Sequence, residues 1–449
     1  MEPIFVVDDE RLITQVLEKA LTGAGYPVHV FHDAEHALAE LDRLSPFLLL
    51  LDINLPGISG LEALERVHER KPEIEVLIIS GHGTIDMAVE AIKRGATDFL
   101  SKPVQLPEVM SRVSRIYETR KLRRQMTDMR KRERERFLAS HHQGESPAMA
   151  KLYRTIHQVG KYPKIIALLT GASGTGKEML ARYLHYHSQY PDGPFMAINC
   201  AAVPAELLES ELFGYGPGAF TDARAEGKPG LVEEAADGTL FLDEIGDLSG
   251  AMQVKLLRFL QDRSFTRVGE TTEQRVECNI IAATNRDLEE MVAFGQFRDD
   301  LYYRINVVRL HVPSLAERKE DILGFAEAFL WANCRATGKH IRGLDESAKH
   351  KTMRYAWPGN LRELRNVIER ACLMSDGPLL SAADLLIHGE QRPINLGPEL
   401  AATVEIMSME RATAIYAQRV LDQVDGNKSE AARLLGISRN RLKRILISP

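Results

Sequence analysis

Residues 168–178 read Leu168-Leu169-Thr170-Gly171-Ala172-Ser173-Gly174-Thr175-Gly176-Lys177-Glu178. The apolar run 165–169 predicts a buried strand, and Met179, Leu180 and Leu184 beyond the glycines set the spacing of a helix face. Four residues separate Gly171 from the Gly176-Lys177 pair, the spacing of a phosphate-binding loop. Glycines at 171, 174 and 176 let backbone N–H groups close around phosphate oxygens, and the helix N-terminus adds a favourable dipole. Lys177 would reach the terminal phosphates. A Ser or Thr normally follows the lysine as a magnesium ligand; here Glu178 stands in its place.

The chain of 449 residues has room for roughly two to four domains. Hydrophobic residues make up 44%, ordinary for a protein that works in water. No apolar run reaches membrane-spanning length and no basic-then-apolar leader opens the chain, so a cytoplasmic protein with no membrane partner is expected. Cys200, Cys278, Cys334 and Cys372 are scattered without a CxxC pair, which argues for reduced core thiols over a metal site or disulfide framework. The net charge of −6 hides two basic stretches: residues 115–137 carry ten Lys/Arg against four Asp/Glu, and residues 426–449 carry six against one. The second is the place to look for nucleic-acid binding.

The first 119 residues alternate short apolar runs with helical patterns. The runs 4–7, 47–51, 76–79 and 98–100 end in Asp8-Asp9, Asp52, Ser80 and Ser101-Lys102-Pro103. Such alternation predicts a parallel sheet covered by helices on both faces, with the strand-end polar residues gathered on one rim. Asp8, Asp9, Asp52, Ser80 and Lys102 would then meet. Crowded carboxylates repel, and a hard cation such as Mg²⁺ would relieve that. A carboxylate flanked by metal and lysine is suited to accept a phosphoryl group.

With these residues in view, the segment resembles the receiver domain of two-component response regulators over its whole length. The resemblance implies a doubly wound fold with Asp52 as phosphoacceptor, Asp8 and Asp9 binding Mg²⁺ and a cognate histidine kinase as partner. It also implies that Ser80 and Lys102 contact the phosphoryl group and that Phe99 is a switching aromatic.

Residues 120–143 are highly charged, with Leu122, Met126 and Met129 spaced to line one helix face. Either a short parallel coiled coil pairing two receivers or a solvated charged linker fits so thin a seam.

The phosphate loop opens a second α/β segment. The run 239–242 ends in Asp243-Glu244: Asp243 can hold Mg²⁺, and Glu244 can orient or deprotonate an attacking water. The run 280–283 ends in Thr284-Asn285, where Asn285 could sense a terminal phosphate. Arg298 and Arg304, six apart, read either as surface residues or as arginines that reach a neighbouring subunit's nucleotide. Trp357-Pro358-Gly359-Asn360-Leu361-Arg362 marks a loop entering a helix.

Together these motifs are similar to the AAA+ domain of bacterial enhancer-binding proteins, the NtrC-type activators of sigma-54 RNA polymerase. The resemblance implies a ring-forming ATPase with a helical lid from about residue 313, using ATP and Mg²⁺. Gly171, Ser173, Gly174, Thr175, Gly176, Lys177 and Glu178 would form Walker A, Glu178 being usual in this family. Asp243 and Glu244 would form Walker B, Asn199 the switch partner of Glu244, and Asn285 the first sensor. Arg298 and Arg304 would be the fingers and Arg362 the second sensor. The family's sigma-contact loop, Gly-Ala-Phe-Thr-Gly-Ala, is matched by Gly218-Ala219-Phe220-Thr221-Asp222-Ala223. Asp222 replaces a glycine and adds charge and bulk; Phe220 stays suited to anchor a partner.

Near the C-terminus, Asn427 is placed to cap a helix packed through Ala431, Ala432 and Leu435; Gly436 makes a turn, and Ser438 caps a second helix buried through Leu442 and Ile445. This is a helix-turn-helix sized for the major groove. Asn440, Arg441 and Arg444 could read bases, and Lys428, Arg439 and Lys443 could hold phosphates. The segment looks like the Fis-type domain that closes NtrC-type activators, which implies dimers on paired half-sites.

The expected architecture is multidomain α/β. A receiver occupies residues 1–119, a charged helical linker 120–143 and the AAA+ sigma-54 interaction domain 144–390. A linker follows at 391–404 and an all-α helix-turn-helix at 405–449. The expected function is a phosphorylation-controlled, ATP-hydrolysing activator of sigma-54 RNA polymerase, a dimer that assembles into a hexamer or heptamer on upstream DNA. Asp222 motivates the alternative, a DNA-binding AAA+ regulator or repressor that does not act through sigma-54.

Overall fold

A computed structural model describes residues 2–81, 85–219, 226–387, 416–418, 420–422, 428–439, 442–443 and 445. The chain divides into two compact units, residues 1–324 with 357–362, and residues 325–356 with 363–449.

The first unit holds two parallel sheets. In the N-terminal one, β1 (Ile4–Val7), β2 (Val28–Phe31), β3 (Leu48–Asp52), β4 (Glu75–Ser80) and β5 (Asp98–Ser101) lie in the order β2-β1-β3-β4-β5. Successive side chains alternate between two cores. Phe5, Val7, Leu49 and Leu51 pack with α2 (Ala34–Leu44), α3 (Gly60–Arg70) and α4 (Ile85–Lys93). Ile4, Val6, Leu48 and Leu50 pack with α1 (Arg11–Gly23) and α5 (Leu106–Ser140). A strand buried on both faces has no polar side to show, which is why these runs are continuously apolar. Asp33 and Ser59 cap α2 and α3 by accepting from His36 N and Glu62 N.

The charged stretch expected as a helical linker from residue 120 is helical to Ser140 and continuous with the last helix of the N-terminal layer: α5 runs unbroken for 35 residues. After Pro107 it contains neither Pro nor Gly and is rich in Arg, Lys, Glu and Met, so nothing in the backbone stops it. Its start packs against the N-terminal sheet through Val109, Val113 and Ile116. Its end meets the second sheet's layer through Phe137 against Tyr186, with ring centroids 5.1 Å apart, and Arg134 to Asp192 at 2.8 Å. Leu122, Met126 and Met129 between them are more than half exposed.

The second sheet comprises β6 (Ile166–Thr170), β7 (Phe195–Asn199), β10 (Thr239–Asp243), β13 (Asn279–Thr284) and β14 (Val308–His311), all parallel, in the order β14-β6-β13-β10-β7. α6 (Pro147–Val159) and α7 (Lys177–Tyr186) cover one face around Phe241 and Ile281. α8 (Ala205–Phe213), α9 (Leu231–Glu234), α10 (Gly250–Asp262), α11 (Leu288–Ala293) and α12 (Asp299–Ile305) cover the other around Leu240 and Ile280. Short pairs β8 (Gly214–Tyr215) with β9 (Lys228–Pro229), and β11 (Ser264–Thr266) with β12 (Glu273–Arg275), stand outside this sheet.

α13 (Asp321–Thr337) and α15 (Asn360–Met374) begin in the first unit and continue into the second, which also contains α14 (Glu346–Arg354) and α16 (Lys428–Leu434). There Leu344 pairs with Leu380 in a short bridge, and Lys339 Nζ donates to the carbonyls of Leu373 and Ser375 at 2.8 Å. Ala417, Val420, Leu421, Ala431, Ala432 and Leu442 form a separate small core. α16 ends with Gly436 at φ +64° and an Ile437 N–H donating to the Ala432 carbonyl at 3.0 Å, a Schellman stop. Asn427 lies outside the described residues. All four cysteines are buried and unbridged. No described helix is long and apolar enough to cross a membrane.

Phe241 is stacked on Phe195 and 1% exposed, whereas Leu122 faces water. Phe241→Ala is expected to destabilise the segment built on the second sheet by roughly 3–5 kcal/mol in a urea titration. Leu122→Ala should shift the same curve by no more than about 0.5 kcal/mol.

Candidate functional site

The first rim gathers Asp8, Asp52, Ser80 and Lys102. Asp8 and Asp52 are each 2% exposed, and Lys102 Nζ lies 2.8 Å from Asp52 Oδ2, 3.0 Å from Asp8 Oδ2 and 2.8 Å from Glu10 Oε1. Burial alone would lower the Lys102 pKa, but bonds to Asp52, Glu10 and Asp8 outweigh it and hold the ammonium well above its usual range. Burial raises the Asp8 carboxyl, against the Glu10 N–H and Lys102, which lower it. The Ser80 hydroxyl is fully buried and has no hydrogen-bond partner among the described residues. Phe99 is partly buried against the α2–α4 core. At Gly60, a Cβ would come 2.0 Å from the Asp52 carbonyl, so only glycine lets α3 start this close to the acidic site.

The carboxylates that come together are Asp8, Asp52 and Glu10, with ligand atoms within 4.8 Å of one another. The expected third acid, Asp9, is exposed and outside this group. Beyond β1 the chain bends back so that the Glu10 N–H donates to Asp8 Oδ1 at 2.9 Å, and the Glu10 carboxylate comes beside Asp8 and Asp52. The strand ends at Val7, so no strand periodicity reaches Glu10 to mark it over Asp9.

The second rim is built around the phosphate loop. Lys177 opens α7, and its Nζ donates to the Gly171 and Ala172 carbonyls at 2.9 and 3.3 Å. Burial lowers its pKa, opposed by Glu244 and Asp243 and assisted by Arg362. Burial raises the Asp243 carboxyl. Thr175 Oγ1 donates to the Ala172 carbonyl at 2.9 Å, and Arg362 Nη1 donates to Ser173 Oγ at 3.0 Å. Glu178 points to Arg182 at 3.1 Å.

Glu244 has φ +52°, a left-handed backbone that costs a non-glycine residue roughly 1–2 kcal/mol. It is held by its own N–H on Asp243 Oδ1 at 3.1 Å and by the Asn285 N–H on Glu244 Oε2 at 3.2 Å. The expected pairing of Asn199 with Glu244 is not what forms. Asn199 and Asp243 are register partners on neighbouring strands, so the Asn199 amide donates to Asp243 Oδ2, at 3.4 Å. The side-chain oxygen Oδ1 of Asn199 accepts from Ala201 N and Ala202 N.

Arg298 and Arg304 are not brought to this loop. Arg298 forks onto Asp300 at 3.0 and 2.7 Å, and Arg304 donates to the Leu260 carbonyl at 3.1 and 2.9 Å. Asn360 is the residue that motif reading passed over. It is 2% exposed, receives the Leu315 N–H at 2.8 Å and donates to the Ser173 carbonyl at 3.0 Å. A Cβ on Gly174 would meet the Gly359 carbonyl at 2.4 Å, so the loop's glycine also permits this docking.

Gly218 (φ +71°) and Ala219 stand on a base where the Gly216 N–H donates to the Val268 carbonyl at 3.0 Å. Phe220, Thr221, Asp222 and Ala223 lie outside the described residues. Lys428, Arg439 and Lys443 are exposed on the helix-turn-helix; Asn440, Arg441 and Arg444 lie outside the described residues.

Family models match in chain order. They are the response regulator receiver domain at residues 4–114, the sigma-54 interaction domain at 142–311, the AAA+ ATPase lid domain at 316–394 and the bacterial regulatory protein, Fis family, at 416–445. The chain is 38% identical over 475 residues to the DNA-binding transcriptional regulator NtrC of Salmonella typhimurium, covering 99% of this chain and 98% of that one. It is 41% identical over 446 residues to the alginate biosynthesis transcriptional regulatory protein AlgB of Pseudomonas aeruginosa, covering 98% and 96%. The crystal structure of NtrX from Brucella abortus in complex with ATP is similar over 99% of both chains, with 37% identity and a TM-score of 0.54. The same protein in complex with ADP gives 36% identity and a TM-score of 0.55.

The raised Asp8 carboxyl gives a signed pH dependence. Folded Asp8 holds its proton more tightly than the unfolded chain, so stability falls as pH rises just above the ordinary value of 3.8 and stays reduced at neutral pH. Asp8→Asn should therefore melt above wild type at pH 7 in a chelator-containing buffer, with the difference closing towards pH 4, as followed by scanning calorimetry.

Proposed function

This chain belongs to the NtrC-type family of two-component response regulators, transcriptional activators that join a receiver, a sigma-54 activation domain and a DNA-binding helix-turn-helix, and on that premise we propose how its residues do the work. Asp52 accepts a phosphoryl group from a partner histidine kinase. Lys102, already held on Asp52, follows the charge, and the unpartnered Ser80 hydroxyl donates to a phosphoryl oxygen. The oxygen-only, anionic donor set of Asp8, Asp52 and Glu10, with Asp9 beside it, suits Mg²⁺. When bound, that ion offsets the negative charge between carboxylate and incoming phosphate. Phe99 and the surface around it respond to the added charge.

The second rim binds and hydrolyses ATP. The observation that carries this reading is the convergence of Lys177, Asp243 and Glu244 on one glycine loop, with Arg362 seated on Ser173. The nucleotide complexes of the NtrX neighbour support ATP as the ligand. Lys177 leaves its carbonyls for the terminal phosphates, Asp243 would hold Mg²⁺, and Glu244 orients the attacking water. Asn285 senses the terminal phosphate beside Glu244, whose Oε2 accepts the Asn285 N–H, and Asn199 sets the Asp243 carboxylate. Arg298 and Arg304 serve the next subunit's nucleotide; their bonds to Asp300 and Leu260 keep them off the loop of their own chain. Dimers paired through the receiver and α5 assemble into a hexameric or heptameric ring. The domain edges follow, with the receiver from residue 1 to 119, the ATPase from 144 to 390 and the helix-turn-helix from 405 to 449.

Hydrolysis drives the 218–223 loop, with Phe220 as anchor, against sigma-54, and Asp222 is a tolerated variation of the loop. Lys428, Arg439 and Lys443 hold DNA phosphates while Asn440, Arg441 and Arg444 read bases in paired half-sites.

With ADP and a phosphate transition-state mimic, purified sigma-54 is expected to bind wild type and Asp222→Gly but not Phe220→Ala. Binding to Asp222→Gly alone would mean the loop serves another partner. Arg298→Ala is expected to bind ATP at wild-type affinity and to hydrolyse it about a thousandfold more slowly in the assembled state, by a coupled phosphate-release assay.

A further inference from the structure

Residues 315–321 form a turn, from the 3₁₀ segment Leu315–Glu317 into α13, that is bonded on two sides. One side is the phosphate loop. Arg318 is 1% exposed, and its Nη2 donates to the Thr175 carbonyl at 2.9 Å. The other side is the segment that leaves α5 and enters α6. There Asp321 Oδ1 accepts from the Glu145 and Ser146 N–H groups at 2.6 and 2.7 Å, and Oδ2 accepts from Ser146 Oγ at 2.8 Å. Gly144, at φ +76°, lies so near that a Cβ would come 2.7 Å from Asp321 Oδ2. The Asp321 N–H donates to the Arg318 carbonyl at 3.0 Å, so both side chains leave one rigid turn.

We infer that Arg318 and Asp321 are a positioning pair that ties the end of the connector to the phosphate loop, so that movement of the connector changes how tightly the loop holds nucleotide. The inference rests on residues 171–177 being the nucleotide loop. A trans peptide is planar, so a carbonyl held in one direction aims the next N–H in the opposite one. The guanidinium on the Thr175 carbonyl therefore sets the Gly176 N–H, one of the groups available to a phosphate oxygen. The Thr175 hydroxyl is already committed to Ala172, which leaves the carbonyl as the handle. Burial lowers the Arg318 pKa and Asp321 opposes it. Removing the carboxylate releases the turn from Glu145 and Ser146 and takes away the charge that opposes the burial of Arg318. Asp321 has no hydrogen bond to the loop, so its influence there has to pass through Arg318.

The test uses the full chain, with ADP affinity by calorimetric titration, ATPase kcat and KM, and thermal melting. Arg318→Met should weaken ADP by about tenfold or more and raise KM far more than it lowers kcat, with Arg318→Lys recovering part of the loss. Asp321→Asn should weaken ADP as well, and the double variant should be no worse than Arg318→Met alone. Additive losses, or an Asp321→Asn that melts early yet binds ADP like wild type, would overturn the pair. If Arg318→Met does not fold, Ser146→Ala carries the test: it removes one bond to Asp321 and should weaken ADP about two- to fivefold, and unchanged affinity overturns the inference. Lys177→Ala separates the two levels. ADP binding retained by that variant would overturn the nucleotide reading itself; its loss, alongside wild-type affinity in Asp321→Asn, overturns only the pair.

Discussion

Parallel strands bring their carboxyl ends, and whatever polar residues follow them, to one rim of a sheet. The two sheets of this chain apply that constraint separately. In the receiver it delivers Asp8, Asp52, Ser80 and Lys102; in the ATPase it delivers the phosphate loop, Asn199, Asp243 and Asn285. The helices on both faces exclude water from the strands, so the rim is where charge can gather next to a dry core.

Gathering charge in that position is unfavourable unless it is matched. The receiver places three carboxylates around one ammonium. In both rims burial works against the charged form: it raises the Asp8 and Asp243 carboxyls and lowers Lys177, while at Lys102 the bonds to Asp52, Glu10 and Asp8 overcome it. In each rim the partners that a charged side chain finds decide its state.

α5 joins the two. As an unbroken helix it carries displacement along its length rather than absorbing it, since each residue is tied to the next turn by backbone bonds. Its receiver end is buried and its far end is clamped by Phe137 and Arg134, leaving the exposed Leu122, Met126 and Met129 between. A seam this thin suits contact that forms and releases, because little apolar area is at stake.

The sequence by itself determined the strands, the helices and the residue at the end of each strand. Apolar runs of that length can only be buried, and glycines, caps and breakers act on their immediate neighbours. It also carried the family, through motifs contiguous in the chain. It did not decide partners. Asn199 meets Asp243 across 44 residues, Arg318 meets Thr175 across 143 and Asn360 meets Ser173 across 187. Nor did it say that Glu10, rather than Asp9, faces Asp8 and Asp52, or that the charged linker continues the receiver's last helix. Those outcomes depend on which elements pack side by side and which way a chain turns when it leaves a strand. Only the tertiary structure sets them, because no local periodicity distinguishes one exposed polar residue from another until a neighbouring element covers it.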